Sequence, residues 1–217
     1  MKKVVIIHTS FVSVDDLKKR FARIVPEVCV NHIVDDSLLE EVSANGKITP
    51  RIIERMTSYF LNARLIGADL VFNQCSSVRF AARIAALNVD IPMISIDEVM
   101  AENAVGLGRK IALIATVGST IDPSQKLLED KAIQHGLNVV VTPYLVDGAL
   151  EFLMGGDREK HNRLVIEKIK SIEDDNDVIV LAQGSMVALI PLLNDIKKPV
   201  LSSPELGVQK VREILGL

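Results

Sequence analysis

The chain repeats itself once, and that repeat restricts its possible folds more than any single motif does. Lys3-Val4-Val5-Ile6-Ile7-His8-Thr9 matches Lys110-Ile111-Ala112-Leu113-Ile114-Ala115-Thr116: a basic residue, an apolar run, then a threonine. Asp69-Leu70-Val71-Phe72-Asn73-Gln74-Cys75-Ser76-Ser77-Val78 lines up with Asp177-Val178-Ile179-Val180-Leu181-Ala182-Gln183-Gly184-Ser185-Met186. Ile91-Pro92-Met93-Ile94-Ser95 matches Lys198-Pro199-Val200-Leu201-Ser202 after a one-residue gap. Three matches in one order and at nearly one offset predict two lobes of the same plan. We place lobe one at residues 1–97 plus 203–217 and lobe two at 98–202.

The first lobe is expected to have strands near 3–8, 27–33 and 69–73 and a short one after Pro92. A helix follows the first strand, with Ser13 as its N-cap and Asp15 and Asp16 at the positive end of its dipole. A second helix covers 50–66, with Thr49 as cap, Pro50 at its first position and Gly67 beyond its end. A third covers 77–87. The second lobe has strands near 110–115, 138–142, 178–182 and 199–201 and helices near 122–135, 159–173 and 185–194. Helix 204–216 closes the chain. Short apolar strands alternating with amphipathic helices predict an α/β fold: two similar lobes, each a short parallel sheet flanked by helices. Right-handed crossovers place all strand-to-helix loops on one sheet edge, and ligands of such sheets bind there. With two lobes, the expected site is a cleft between them.

The loops at that edge are Thr9-Ser10 and Cys75-Ser76-Ser77 in the first lobe. In the second they are Thr116-Val117-Gly118-Ser119-Thr120 and Gln183-Gly184-Ser185. All precede helices, whose free N–H groups suit a carboxylate or an oxyanion. Cys75, between a strand end and a helix start, is expected to have a lowered pKa and to act as base or nucleophile. Cys29, between Val28 and Val30, reads as a core cysteine. His8 ends the first strand, as a cleft residue or as a satisfied core histidine. Tyr144 ends strand 138–142 and could line the cleft. His32 and His135 read as surface or strand-end residues, and His161 as solvated. Asp147 and Glu151, near Gly148, read as polar cleft residues or as a cap for a following helix. Glu173, Asp174, Asp175 and Asp177 read as a solvated loop at the opposite sheet edge. Gly155-Gly156-Asp157 reads as a turn with Asp157 capping the next helix; it is no phosphate loop, because GxGxxG and GxxxxGK are absent.

Composition narrows the partners. A net charge of −3, no Trp and no basic stripe argue against nucleic acid and against a polybasic membrane anchor. No apolar stretch reaches the roughly 18 residues that span a bilayer. The apolar run Val4 to Ile7 is too short for a signal peptide. Two cysteines without CxxC spacing make neither a disulfide scaffold nor a metal site. The protein is read as cytoplasmic, with no metal.

Asn73-Gln74-Cys75-Ser76-Ser77, followed by a helix and Ile91-Pro92, resembles the first cysteine motif of the aspartate/glutamate/hydantoin racemases. Lys110 to Thr116 with Ser119-Thr120 resembles their mid-chain strand and hydroxyl loop. Val180-Leu181-Ala182-Gln183-Gly184-Ser185-Met186 stands where the second cysteine motif is expected. The resemblance implies a pseudo-twofold fold, commonly dimeric, and a cofactor-free reaction on a small carboxylate or carbonyl compound. In that reaction one thiolate removes a proton and a second thiol delivers one to the opposite face. It implies that Cys75 is the first cysteine and that Ser76, Ser77, Thr116, Ser119 and Thr120 hold a substrate carboxylate; His8, Thr9, Ser10, Tyr144, Gly184 and Ser185 are read as further substrate-binding residues from their places at or near the strand ends. The second cysteine is absent, and its place falls on Gln183. A carboxamide is neither acid nor base near neutral pH, although it can donate a hydrogen bond to an enolate oxygen. A racemase would need another acid, His8 or Tyr144. Three readings stay open: a racemase/epimerase-type isomerase, a one-cysteine decarboxylase or lyase, and a non-catalytic small-acid binding protein.

Overall fold

The computed structural model describes residues 1–217. The chain forms two compact units, Met1–Glu98 with Pro204–Leu217 and Val99–Ser203. No helix is long and apolar enough to cross a membrane.

The first unit contains β1 (Lys2–His8), α1 (Val14–Ile24), β2 (Val28–Val34), α2 (Ser37–Asn45), α3 (Pro50–Leu65), β3 (Leu70–Asn73), α4 (Arg79–Ala86) and β4 (Met93–Ser95). Its sheet is parallel, in the order β2-β1-β3-β4. Strand side chains alternate between faces, and β1 is apolar from Val4 to Ile7 and β3 from Leu70 to Phe72 because helices cover both faces. Val5, Ile7 and Val71 pack with Ile52, Met56 and Phe60 of α3 and Ala81, Ala82 and Ala85 of α4. Val4, Ile6, Leu70 and Phe72 pack on the other face with Leu17 and Phe21 of α1 and Val208 and Val211 of the last helix.

In the second unit the chain runs through α5 (Glu98–Leu107), β5 (Lys110–Ala115), α6 (Ile121–Gln134), β6 (Val140–Leu145), α7 (Ala149–Met154), α8 (Arg158–Ile172), β7 (Val178–Leu181) and β8 (Val200–Ser202), then enters α9 (Ser203–Leu215). The sheet order is β6-β5-β7-β8, again parallel. The two units therefore have the same strand order, which is the two-lobed α/β fold expected from the repeat. The repeat extends to side chains. Asp69 Oδ2 accepts the Lys3 N–H at 2.8 Å, and Asp177 Oδ2 accepts the Lys110 N–H at 2.9 Å.

Local chemistry sets several boundaries. Thr49 caps α3 by accepting the Ile52 N–H, and Asp157 caps α8 by accepting the Lys160 N–H; such caps are each worth about 1 kcal/mol. Ser13 makes no capping bond and its hydroxyl is buried. Residues 184–192 form a 3-10 stretch rather than an α-helix; Pro191 within it lacks the N–H that an α-helix needs. Helices α2, α5 and α7 escaped the sequence reading. Cys29 is exposed, not core. It lies on edge strand β2 beside Lys3, and the core on its side of the sheet reaches β2 only at Ile33. His161 is buried, on the α8 stripe with Val165, Ile169 and Ile172. Glu173 and Asp177 are not simply solvated: Glu173 accepts the Lys197 and Lys198 N–H groups, and Asp177 those of Arg109 and Lys110.

Gly207 lets α9 lie against the first unit. A Cβ there would stand 2.7 Å from the Ile96 carbonyl oxygen and 3.2 Å from the Phe72 ring. Gly207→Ala is expected to lower the unfolding free energy by about 1–3 kcal/mol. Gly106→Ala, within α5 and with open space around it, should raise it by about 0.5–1 kcal/mol. Urea unfolding followed by circular dichroism reads both signs; an unchanged Gly207→Ala midpoint would show that the contact is not tight.

Candidate active site

Parallel register decides which residues meet at the C-terminal edge of the first sheet. Ile7 pairs with Asn73, and Asn73 pairs with Ser95. Two residues further on, these three chains carry Thr9, Cys75 and Asp97. All three are buried. Cys75 has extended backbone angles and opens a 3-10 turn, Ser76–Val78, that leads into α4. The Thr9 hydroxyl, the Ser77 and Val78 N–H groups and the Ser77 hydroxyl are disposed to stabilise negative charge on its sulfur. The sulfur makes no regular capping bond to the turn. A neutral thiol is a weak acceptor, and these donors gain strength as charge develops on it.

The expected lowered pKa is corrected. Burial pushes the Cys75 thiol up, against the pull of those four donors. A position before a helix start lowers a thiol pKa when the sulfur is near water; here the sulfur lies within the apolar cluster that includes Val78, Ala82 and Met56, and desolvation of the thiolate wins.

The Ser76 hydroxyl is already engaged. It donates to Asp97 Oδ2 at 2.6 Å, and Arg79 Nη1 donates to the same oxygen at 3.0 Å. Both partners of the Arg79–Asp97 ion pair are buried. Asn73, also buried, donates from Nδ2 to the Cys75 carbonyl at 3.0 Å and to Ser95 Oγ at 3.2 Å. The sequence reading missed Asn73, Arg79 and Asp97 as parts of this site. Asp97 was legible only through strand register.

His8 and Tyr144 are each engaged within their own unit. Alternation along β1 turns His8 to the face opposite Thr9. There its Nε2 lies 3.0 Å from His32 Nδ1, and His32 is half-buried in β2 rather than at the surface. Burial, helped by His32, pushes the His8 pKa down to about 4. Tyr144 lies within β6 opposite Ile114 and packs on the core beneath α8. Ser10 accepts the Val12 N–H within its own loop at 3.1 Å.

The second unit repeats the geometry with different chemistry. Ile114 pairs with Leu181, so Thr116 and Gln183 stand where Thr9 and Cys75 stand in the first. Gln183 Oε1 accepts the Thr116 N–H at 3.0 Å and its hydroxyl at 3.4 Å. Its Nε2 donates to the Thr120 hydroxyl, which in turn donates to the Val117 carbonyl. The amide is locked as a brace for the hydroxyl loop. Ser119, Gly184 and Ser185 are half-buried. Asp147 and Glu151 make no cap; Gly148 holds that position without a side-chain bond. His135 is exposed at the end of α6, within 3.5 Å of Glu102.

Two outcomes follow. At neutral pH, Cys75 should react with iodoacetamide more slowly than exposed Cys29, as read by mass spectrometry of the labelled peptides; faster labelling of Cys75 would contradict the effect of burial. The lowered His8 pKa also sets a stability slope. Between pH 6.5 and about 4 the unfolded state holds more protons than the folded state, so stability falls on acidification through that window. One proton contributes at most about 1.4 kcal/mol per pH unit. His32 is lowered too, mainly by burial, and adds to the slope. Urea unfolding of His8→Gln across this range should give a shallower slope than the parent.

The sequence profile described as Asp/Glu/Hydantoin racemase matches residues 5–211. No curated protein sequence matches the chain. Among solved structures, the chain is similar to Picrophilus torridus aspartate racemase at 15% identity and a TM-score of 0.74, covering 100% of this chain and 95% of that one. It is similar to allantoin racemase from Klebsiella pneumoniae at 17% identity and a TM-score of 0.67, with coverage of 100% and 88%. A glycine-to-cysteine mutant of arylmalonate decarboxylase, in a sulfate-associated form, aligns at 18% identity and a TM-score of 0.64, with coverage of 99% and 93%. These likenesses establish a shared fold. With the profile spanning nearly the whole sequence, the chain belongs to the Asp/Glu/hydantoin racemase family, and only one of its two cysteines, Cys75, is buried.

Proposed function

We propose that this protein is a cofactor-independent enzyme in which Cys75 transfers a proton on one face of a carbon next to the carboxylate or carbonyl of a small acid. The observation that carries the reading is Cys75, buried among the Thr9 hydroxyl, the Ser77 and Val78 N–H groups and the Ser77 hydroxyl. The family is one of racemase and epimerase-type isomerases, and the isomerase step is simple. The thiolate takes the proton, the C–H electron pair moves into the carbonyl to give the extended enolate of an unsaturated acid, and the new thiol delivers the proton on the same face to the far carbon, so that the double bond shifts. Beside the sulfur, the Thr9 and Ser77 hydroxyls are assigned to the substrate oxygens as well. Inversion would need a second acid. Gln183 is an amide, His8 is neutral and bound to His32, and Tyr144 packs beneath α8.

One observation favours the lyase form of this chemistry. Burial keeps the resting Cys75 protonated, so the resting enzyme is a proton donor. In a decarboxylation the bond to one carboxylate breaks and carbon dioxide leaves. The electron pair forms an enolate, the Cys75 proton goes to carbon, and the thiolate takes a proton from solvent.

A panel of small acids in deuterated water separates the possibilities. The isomerase form shifts the double bond of an unsaturated acid, with deuterium entering on one face only; the lyase form releases carbon dioxide and places one deuterium on one face. Cys75→Ser should slow either by at least about 100-fold. Inversion during exchange would overturn the single-face reading, and an unaffected Cys75→Ser variant would overturn the assignment of Cys75. Saturable carboxylate binding with no turnover would point instead to a binding protein on this fold.

A further inference from the structure

We infer that Asp97 is a positioning residue for the Cys75 thiolate and that it acts through Ser76. The inference rests on the reading of Cys75 as the proton carrier. Asp97 Oδ2 receives two donors, the Ser76 hydroxyl at 2.6 Å and Arg79 Nη1 at 3.0 Å. These two donors bracket the 3-10 turn that follows Cys75. Ser76 lies between Cys75 and Ser77, and Arg79 is the first residue of α4. One carboxylate oxygen therefore holds both ends of the turn whose Ser77 and Val78 N–H groups face the sulfur. Asn73 holds the other side of the same residue through the Cys75 carbonyl, at 3.0 Å.

Stability alone does not account for this arrangement. Burying an ion pair carries a desolvation penalty that its own attraction often fails to recover, and well-packed apolar residues frequently serve as well or better. Asp97 moreover keeps a second buried oxygen, Oδ1, without a partner. The second unit provides an internal control. Continuing the repeat from Gln183, the positions of Ser76 and Arg79 are held by Gly184 and Val187; continuing from Ser202, the position of Asp97 falls on Pro204, the first residue past the second unit's end. None of the three can form the ion-paired triad. The network exists in the unit that carries a cysteine and is missing from the unit that carries a glutamine, although both units hold an equivalent strand, turn and apolar core.

The test reads the thiol, not turnover. In a Cys29→Ser background, the pH profile of Cys75 alkylation is measured for the parent, Ser76→Ala, Asp97→Asn and the double variant. The thiolate's ultraviolet absorption is a second readout, with little interference in a chain that has no Trp and two Tyr. Each single variant is expected to raise the apparent thiol pKa by about one unit, which makes alkylation about tenfold slower below the midpoint. If Ser76 acts through Asp97, the double variant shows no more than the Asp97→Asn shift. A merely structural triad would lower thermal stability and leave the midpoint in place, and that result overturns the inference, as do additive shifts. Asp97→Asn leaves Arg79 with a buried charge and is the variant at risk of misfolding; Ser76→Ala retains the ion pair and decides the matter alone. A shifted midpoint with no exchange in any acid supports this inference and counts against the proposed function. An unshifted midpoint with Cys75-dependent exchange does the reverse.

Discussion

The parallel pairing of β1, β3 and β4 is the constraint on which the first unit's chemistry depends. Ladder hydrogen bonds fix Ile7, Asn73 and Ser95 in one row. Two residues beyond that row come Thr9, Cys75 and Asp97, all buried at the strand ends. Side-chain alternation settles the rest. His8, one residue before Thr9, is turned to the opposite face and meets His32. A one-residue change in register would exchange their places and remove Thr9 from the sulfur. The donors around Cys75 are thus consequences of buried apolar strands that never touch them.

The same register operates in the second unit, where Thr116 and Gln183 form the corresponding pair. The opposite sheet edges are also matched, because Asp69 and Asp177 each tie the start of the central strand to the strand beside it. Gly108 is part of that second anchor: a Cβ there would stand 2.3 Å from the Asp177 side chain. Backbone and anchors are thus held in common while the residue at the functional row differs. A thiol can carry a proton; an amide bonded on both its oxygen and its nitrogen can only hold a loop still.

How far the sequence reveals this depends on whether a feature is local. The strands are legible because runs buried on both faces must be apolar from end to end, and the repeat is legible because both units use that solution. Thr49 and Asp157 are legible because a cap is a property of a few consecutive residues. Cys29 and His161 are misread from their neighbours: β2 is an edge strand, which no local pattern states, and charged residues around His161 mask the stripe it shares with Val165 and Ile169. The place of Cys75 is legible and the direction of its pKa is not. Its position follows from strand and turn order; its desolvation follows from α3 and α4 packing around it. Asp97 is a tertiary residue in the same sense, placed by β4 pairing across twenty-two positions of sequence from Ser76's neighbour.

The raised thiol pKa and the donors around it are parts of one design rather than a contradiction. Burial penalises the thiolate, and the four donors offset part of that penalty only when charge is present. Their stabilisation is therefore greater as the sulfur becomes anionic than it is in the resting thiol. Interactions that strengthen along the reaction are the ones that accelerate it. A sulfur open to water would be a thiolate more often and would gain less from each donor, because solvent would already supply that stabilisation. The buried arrangement needs the turn to be held still before the charge arrives. In the proposed reaction, a turn free to move would have to be ordered at the moment of proton transfer, and that cost would fall on the barrier. The carboxylate of Asp97, fixed by its own ion pair with Arg79, holds both ends of that turn, and under the proposed reaction the glutamine-bearing unit, where no thiolate arises, would not need its counterpart.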